Sequence, residues 1–238
     1  FAHVLSDWPW LTNTSFLIRG IILAGLFTTL VGGSLAGIQR GFDELLGYAA
    51  LFNLACTVSM LGVGGDEAII TVIFGLVVRS LALVLIAISM STIRLIRTQT
   101  GFSQVGAVAY QMPIATTGLI LGGLTLAGVP FTAGFAPYWQ LLQSMAETQW
   151  WGALVLFIGS LGVSIGYLRG LRAALTPASI ETKGERAEAI LKVDLQEPTG
   201  LLVLIVVLIT IILVVGLYPG LLLKLIQPFA AELTLPLW

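Results

Sequence analysis

Long apolar runs dominate the chain, and short polar or Gly/Pro-containing breaks separate them. A bilayer core about 30 Å thick is crossed by about 20 apolar helical residues, so each run of that length predicts one membrane-spanning helix. The pattern predicts an all-α, polytopic membrane helix bundle, a single domain of about six or seven transmembrane helices with a polar loop at 176–198. The predicted spans are 15–38, 45–63, 68–92, 113–130, 131–146, 150–175 and 200–223.

The run at 131–146 differs from the other spans. It is short for a crossing, and the helix-interrupting residues Pro130, Gly134 and Pro137 fall close together at its start. A continuous helix there would lose several backbone hydrogen bonds, and lipid tolerates such a loss only where protein or a cavity covers the break. We therefore expect a broken helix at this position.

Composition agrees with a membrane protein and excludes several other classes. Of the 238 residues, 57% are hydrophobic and 10% are charged, against about 25% charged residues in ordinary soluble domains. The net charge of −1 provides no positive field for nucleic acid. One cysteine and one histidine predict neither an intrachain disulfide nor a metal site. No phosphate loop, catalytic triad or cofactor fingerprint occurs, so we expect no catalytic residue and no cofactor in this chain.

Arg79 is the polar residue that most needs an explanation, because it lies near the middle of the predicted span 68–92. A charge near the bilayer centre costs at least about 2.5 to 3.5 kcal/mol on insertion scales. Either the side chain binds backbone carbonyls or a lipid headgroup, or it belongs to a functional polar axis. An arginine keeps its proton, so Arg79 can bias an ion pathway electrostatically but cannot carry a proton along it.

Glycines recur every four residues in two series along the chain and predict close approach of helices. They are Gly33, Gly37 and Gly41 in one series and Gly162, Gly166 and Gly170 in the other.

Three strings resemble segments of one family of membrane proteins. They are QRGFDELLGYAALFN at 39–53, VIFGLVVRSLALVLIAIS at 72–89 and GAVAYQMPIATTGLILGGLTLAGVPFTAGF at 106–135. The family comprises the antiporter-like membrane subunits of respiratory complex I and the related Mrp-type cation/proton antiporters. The third string, with its Met-Pro pair and its LAGVP and GF steps, is the most specific of the three. The chain resembles the C-terminal half of such a subunit over about residues 15–225.

The resemblance implies a fold with two inverted repeats, each containing a broken helix, and a central series of lysines and glutamates that moves protons. This chain is similar to the second repeat with flanking helices, so another chain is expected to supply the first repeat. The implied partners are lipid and the other membrane subunits of a multi-subunit complex, with no nucleic acid. The implied location is a bacterial plasma membrane or an organellar energy-converting membrane.

The sequence departs from the family at its titratable positions. Asp43 and Glu44 stand where the family has Lys-Arg, Arg79 stands at the helical lysine, and the ionisable residue of the broken helix falls on Tyr138. With the intramembrane polar residues Tyr48 and Asn53, these form the candidate ion pathway.

The favoured interpretation is a membrane-arm, antiporter-like subunit, or a fragment of one, of a complex-I-like NADH/quinone oxidoreductase. It would be associated with proton translocation while its own proton-carrying residues are degenerate. Two alternatives stay open: one half of a split Mrp-type cation/proton antiporter, and a non-transporting membrane scaffold subunit of another complex.

Overall fold

The structure is a computed structural model that describes residues 15–64, 66–95, 100–176 and 199–224. In this part of the chain the fold is all-α, as predicted, and the only β feature is an isolated bridge between Gly41 and Gly101. The helices are α1 Ser15–Ile38, α2 Phe42–Val63, α3 Asp66–Arg94, α4 Val108–Gln111, α5 Pro113–Ala127, α6 Phe135–Thr148, α7 Trp150–Leu175 and α8 Thr199–Leu217. The predicted polar loop lies, beyond Thr176, outside the described residues.

Five helices of the described residues, α1, α2, α3, α7 and α8, are long and apolar enough to cross a bilayer. The helices α5 and α6 have 15 and 14 residues. At 1.5 Å per residue each is about 22 Å long or less, which is short of a hydrocarbon core of about 30 Å. They occupy the region of the two predicted spans 113–130 and 131–146, and the irregular segment 128–134 joins them.

Several helix ends differ from the predicted bounds for local reasons. Helix α2 begins at Phe42 rather than at residue 45, and its first turn holds Asp43 and Glu44. Carboxylates favour that position because they complement the positive end of the helix dipole. Helix α8 ends at Leu217, before the predicted residue 223, because Pro219 disfavours helical geometry in the residue before it. A helical segment then resumes at 219–224.

The predicted glycine faces bring α1 and α7 together. A Cβ on Gly33 would overlap the Gly159 backbone, and a Cβ on Gly37 would lie 3.1 Å from the carbonyl oxygen of Gly162. A Cβ on Gly166 would lie 2.7 Å from the carbonyl oxygen of Ala36. The prediction of close packing is therefore confirmed for these glycines, and the absence of side chains allows the two backbones to touch.

Helix α5 lies inside the bundle. It packs against α3 on one side and α7 on another, and α8 covers α3 and α5 from outside. Ile205, Leu208 and Ile212 form the buried face of α8, whereas Val203 and Val207 on the opposite face are exposed. The C-terminal end of α5 and residues 132–134 are thus enclosed by protein, as a helix break at membrane depth requires, whereas Pro130 and Phe131 are exposed.

Candidate functional site

The end of α5 adopts a Schellman motif. Gly128 has the left-handed backbone conformation, with φ of 74°, that glycine adopts without steric cost. The N–H of Val129 donates to the carbonyl of Leu124 at 3.1 Å, and the N–H of Gly128 donates to that of Thr125 at 3.1 Å. These two bonds satisfy two of the four carbonyls that a helix end leaves without an intrahelical partner.

Side chains from two neighbouring helices satisfy the other two carbonyls. Asn53 of α2 donates from Nδ2 to the carbonyl of Leu126 at 2.6 Å. Ser160 of α7 donates from Oγ to the carbonyl of Ala127 at 2.6 Å. All four terminal carbonyls of α5 are therefore hydrogen-bonded, so the helix stops inside the protein without an unpaired acceptor.

The chain re-enters a helix at Gly134, the N-cap of α6. A Cβ on Gly134 would overlap the carbonyl oxygen of Thr125, so only glycine allows the start of α6 to pass this close to the end of α5. Pro137 lies in the first turn of α6, where its missing N–H would have had no intrahelical partner. Pro130 and Gly134 thus belong to the break and its boundary, and Pro137 belongs to the helix that follows.

Tyr138 lies one turn into α6 and is half-buried. Its ring packs over Gly128, where a Cβ would come within 2.7 Å of the Tyr138 Cγ. Its hydroxyl donates to the carbonyl of Leu156 on α7 at 2.6 Å. The phenol therefore ties α6 to α7 across the helix break.

Arg79, on α3, is 8% exposed. Its Nη2 donates to the carbonyl of Asn53 at 2.5 Å and to the hydroxyl Oγ1 of Thr57. Thr57 Oγ1 itself donates to the same Asn53 carbonyl at 3.0 Å. Within the described residues, Nε and Nη1 of Arg79 have no hydrogen-bond partner. The guanidinium thus binds α2 through one nitrogen, and two donor nitrogens remain unpaired.

Asn53, Arg79 and Tyr138 all line one cavity of about 50 Å³ between α2, α3, α5 and α6. A cavity needs about 10 to 15 Å³ to hold one water molecule, so this one has room for a few. Its lining includes the predicted residues Arg79, Asn53, Tyr138, Gly134 and Pro137. None of the described lining residues is Asp, Glu, Lys or His.

Three of the predicted pathway residues lie elsewhere. Asp43 and Glu44 line an open groove with Thr100, at the N-terminal end of α2. Asp43 pairs there with Arg94 and accepts a hydrogen bond from Thr100, while about half of its side chain is exposed. Tyr48 packs against the core of the bundle and does not line the cavity.

The predicted site residues leave out four polar or thiol residues of the cavity lining, Cys56, Thr57, Thr71 and Thr125, and the role of the α5 carbonyls. Thr57 follows Asn53 by four residues, the spacing that places two side chains on one helix face, so the sequence contained a signal for it. No sequence signal marks the Leu126 carbonyl, because the end of α5 meets Asn53 only through the tertiary fold.

Chemically, the site combines a fixed positive charge with hydroxyl and amide groups. Asn53, Thr57 and Tyr138 each already bond to a backbone carbonyl. The arrangement is suited to holding charge and ordered water. The described lining residues provide no carboxylate, lysine or imidazole that would take up and release a proton near neutral pH.

Comparison with known proteins identifies the family. The model of the NADH:quinone oxidoreductase/Mrp antiporter transmembrane family matches residues 9–164. NADH-quinone oxidoreductase subunit N of Ectopseudomonas mendocina (strain ymp) is 30% identical over 223 residues, which cover 91% of this chain and 43% of that protein. The chloroplastic NAD(P)H-quinone oxidoreductase subunit 5 of Nandina domestica is 30% identical over 136 residues, covering 53% of this chain and 18% of that protein. The chain spans less than half the length of these relatives.

Solved structures share the fold at low sequence identity. A chain of the membrane-bound sulfane sulfur reductase, an archaeal respiratory membrane complex, matches with a TM-score of 0.77 and 16% identity, over 97% of this chain and 45% of that one. A chain of the Mrp complex from Dietzia sp. DQ12-45-1b matches with a TM-score of 0.74 and 17% identity, over 92% and 47%. Because the family model covers more than half of the chain and the fold agrees, this integral, multi-pass membrane protein belongs to the NADH:quinone oxidoreductase/Mrp antiporter family.

Proposed function

We propose that this chain is a membrane-arm, antiporter-like subunit, or one half of such a subunit, in a complex-I-like NADH/quinone oxidoreductase of a bacterial plasma membrane. In this assembly the cavity beside the break between α5 and α6, which Arg79 lines and which we call the helix-break centre, holds a fixed positive charge instead of relaying protons. The observation that carries the proposal is the cavity at the break, where Arg79 lies among hydroxyl, amide and carbonyl groups.

A proton relay needs groups that bind and release protons in turn. Arginine remains protonated in proteins, and Arg79 is held by two acceptors on α2. The Tyr138 hydroxyl donates its hydrogen bond to the Leu156 carbonyl, and this bond supports packing of α6 against α7. A positive charge at this depth opposes the passage of a cation, so the centre is suited to sealing the membrane.

Exposed apolar surface supports the view that the chain works in contact with lipid and other subunits. Its transmembrane helices carry exposed apolar faces, for example Leu154 and Phe157 on α7. We propose that lipid and other membrane subunits cover these faces, and that another polypeptide supplies the missing first repeat.

The first test is to extract the chain from its native membrane in mild detergent and to identify every bound polypeptide by mass spectrometry. We expect membrane subunits of a quinone oxidoreductase, including one that carries a first repeat. Recovery of cation/proton antiporter subunits alone would replace the proposal with a split Mrp-type antiporter. Recovery of unrelated membrane proteins alone would replace it with a scaffold.

The second test measures proton translocation by the purified assembly in liposomes. Tyr138→Phe removes the hydroxyl of a residue that lines the cavity, and we expect the rate to stay within about twofold of wild type, because a relay through this residue is not used. Tyr48→Phe, on α2 and away from the cavity, is the matched control. If Tyr138→Phe abolishes translocation while Tyr48→Phe does not, the centre is a relay and the proposal fails.

A further inference from the structure

The connection between α5 and α6 reaches the protein surface at membrane depth. Ala127, the last residue of α5, bonds to Ser160, which is the eleventh of the 26 residues of α7. Ten residues of helix, about 15 Å, separate this level from Trp150 at one end of α7, and about 22 Å separate it from the other end. Pro130 and Phe131 follow closely in the chain and are exposed, Phe131 by 74%. An irregular segment is thus uncovered in the interior of the bilayer.

The peptide group between these two residues has no hydrogen bond within the described part of the chain. The Pro130 carbonyl accepts none and the Phe131 N–H donates none, whereas the next N–H, of Thr132, donates to the Val129 carbonyl at 3.2 Å. Hydrocarbon provides no partner for such groups, and membrane proteins place irregular backbone only against protein or against a water-filled cavity. Lipid is therefore the least suitable environment for this part of the break.

Phe131 also has a left-handed backbone conformation, with φ of 70°. A bulky residue in this conformation costs energy that glycine avoids, and such outliers cluster at functional sites. The protein itself makes little use of the ring, because most of the residue is exposed. An aromatic ring that is held outward at an energetic cost is suited to a pocket on a neighbouring protein.

The outer face of α6 continues this surface. Trp139 is 49% exposed and stacks on Phe135 with ring centroids 5.8 Å apart, and Gln143 is exposed one turn further on. Among the described residues, none bonds to the Gln143 amide or to the indole N–H of Trp139. The exposed residues of α7 between Leu154 and Leu168 are, by contrast, all apolar. The aromatic rings disfavour a water-filled space over α6, and the unpaired N–H groups disfavour lipid, so a protein surface is the environment that suits both.

From these observations we infer that the break surface, formed by Pro130, Phe131, Trp139 and Gln143, binds a transmembrane helix of another membrane subunit that carries hydroxyl or amide side chains. Such side chains hydrogen-bond across helices in membranes and can pair with the Pro130 carbonyl and the Gln143 amide. The partner helix is uncharged at this level, because the four residues hold no charge that would neutralise it. The inference rests on the proposed function and deepens it, since it names the surface through which a partner subunit binds.

The direct test is site-specific photo-crosslinking in the native membrane. The photoreactive analogue p-benzoylphenylalanine replaces Phe131 in one variant and Phe157, which is 51% exposed on α7, in the matched control. After irradiation the assembly is purified and digested, and the adducts are identified by mass spectrometry. We expect position 131 to label one transmembrane segment of another subunit, with Ser, Thr, Asn or Gln beside the labelled residue, and position 157 to label lipid.

Four results overturn the inference. They are adducts with lipid alone at position 131, adducts with a second copy of this chain, adducts with a segment that has no polar side chain, and protein adducts in equal yield at positions 131 and 157. If the variant at Phe131 does not assemble, the same probe in place of Trp139 decides by the same criteria.

The identity of the labelled subunit separates this inference from the proposed function. A polar transmembrane segment that belongs to a cation/proton antiporter or to an unrelated complex keeps the inference and rejects the proposed function. Co-purification of quinone oxidoreductase subunits, with lipid as the only adduct at position 131, keeps the proposed function and rejects the inference.

A second test uses the backbone conformation of Phe131. Phe131→Gly removes the ring and relieves the left-handed strain, so it should not destabilise the fold of the chain itself. Loss of the ring from a partner pocket is expected to lower the amount of partner subunit retained during detergent extraction by about tenfold. Phe157→Ala, which removes an exposed ring from the apolar face of α7, is the control and is expected to retain the partner. Equal retention in the two variants would overturn the inference.

Discussion

Asn53 joins two helices through a single amide group. Its Nδ2 donates to the Ala49 carbonyl one turn earlier in α2, at 3.1 Å, and to the Leu126 carbonyl at the end of α5. Asn53→Leu keeps the branched side-chain skeleton and removes both donors, which leaves a terminal carbonyl of α5 unpaired. A buried acceptor without a partner costs about 1 to 3 kcal/mol. We expect the apparent melting midpoint of the purified assembly to fall by several degrees.

The control for this change is Thr28→Val on α1. The Thr28 hydroxyl bonds only to the Ala24 carbonyl of its own helix, at 2.8 Å, so its loss should leave the midpoint nearly unchanged. If Asn53→Leu and Thr28→Val melt at the same temperature, the Asn53 bond to α5 does not stabilise the break.

Gly128 offers a second test at the level of one residue. It combines a φ of 74° with the ring of Tyr138 at its position, whereas Gly64 has a φ of 76° and no atom within 4 Å of where a Cβ would lie. Gly64→Ala therefore measures a backbone penalty without a clash, about 1 to 3 kcal/mol, because a φ of 76° with a ψ of −177° is adopted almost only by glycine. Gly128→Ala combines a left-handed backbone penalty of about 1 to 2 kcal/mol with overlap of the Tyr138 ring, which costs about 1 to 3 kcal/mol more, and should be the more destabilising change.

The measurement for this pair is thermal unfolding of both variants in the same detergent. Gly128→Ala is expected to melt several degrees below Gly64→Ala, and the double variant Gly128→Ala with Tyr138→Ala should lose less than the sum of its two single variants, because the clash is absent without the ring. Equal melting midpoints of the two single variants would show that a methyl group at position 128 does not clash with the ring of Tyr138.

At this scale the sequence identifies residues better than it identifies their partners. The sequence identifies Arg79 because a charge inside an apolar run is rare, Asn53 because it is a polar residue inside a predicted span, and Tyr138 through the family resemblance. The unpaired nitrogens of Arg79 and the carbonyl that Asn53 caps depend on how α2, α3 and α5 meet. Those contacts are set by the tertiary fold and leave no local pattern in the sequence.

At the level of elements, the contact between α1 and α7 depends on glycine. A methyl group on Gly33 would overlap the backbone of Gly159, and backbone cannot move aside as a flexible side chain can. We expect Gly33→Ala to separate the two helices and to cost about 1 to 3 kcal/mol, as other overpacked cores do. The fall in melting midpoint, measured in detergent, is the readout.

The matched control is Gly20→Ala in the same helix. Nothing lies within 4 Å of a Cβ at Gly20, and alanine has the higher helix propensity, so this variant should melt no lower than wild type. The assignment of the α1 and α7 contact would be contradicted if Gly20→Ala melted below wild type, or if Gly33→Ala melted at the same temperature as wild type.

Helix periodicity and the length of the apolar runs account for most of the helices. Proline and glycine residues account for the irregular segment 128–134 between α5 and α6. Pro130, Gly134 and Pro137 marked a break, but proline and glycine alone do not say which of them end a helix and which begin the next. The structure separates them, because Gly128 ends α5 in a left-handed conformation and Pro137 is tolerated inside the first turn of α6. The position of the break thus follows from backbone geometry, which the sequence only partly encodes.

At the scale of the whole molecule, the last described transmembrane helix holds the central break in place. Gly216, near the end of α8, lies against the irregular segment, and a Cβ there would be 2.6 Å from the carbonyl oxygen of Phe131 and 2.8 Å from the amide nitrogen of Ala133. The contact links two parts of the chain that are more than 80 residues apart in the sequence. Segments with irregular backbone and few contacts open most easily, so a helix packed on residues 128–134 should suppress local opening.

Gly216→Val tests this link between the chain end and the centre. The added side chain should push α8 away from Phe131 and raise the hydrogen-exchange rate of amides in 128–134 by about tenfold, the change that corresponds to about 1.4 kcal/mol of opening free energy. Gly220→Val is the control, because nothing lies within 4 Å of a Cβ at Gly220. Exchange measured by mass spectrometry should therefore rise at the break in the first variant alone. Equal protection in both variants would mean that α8 does not hold the break closed, and that Asn53 and Ser160 are sufficient to stabilise it.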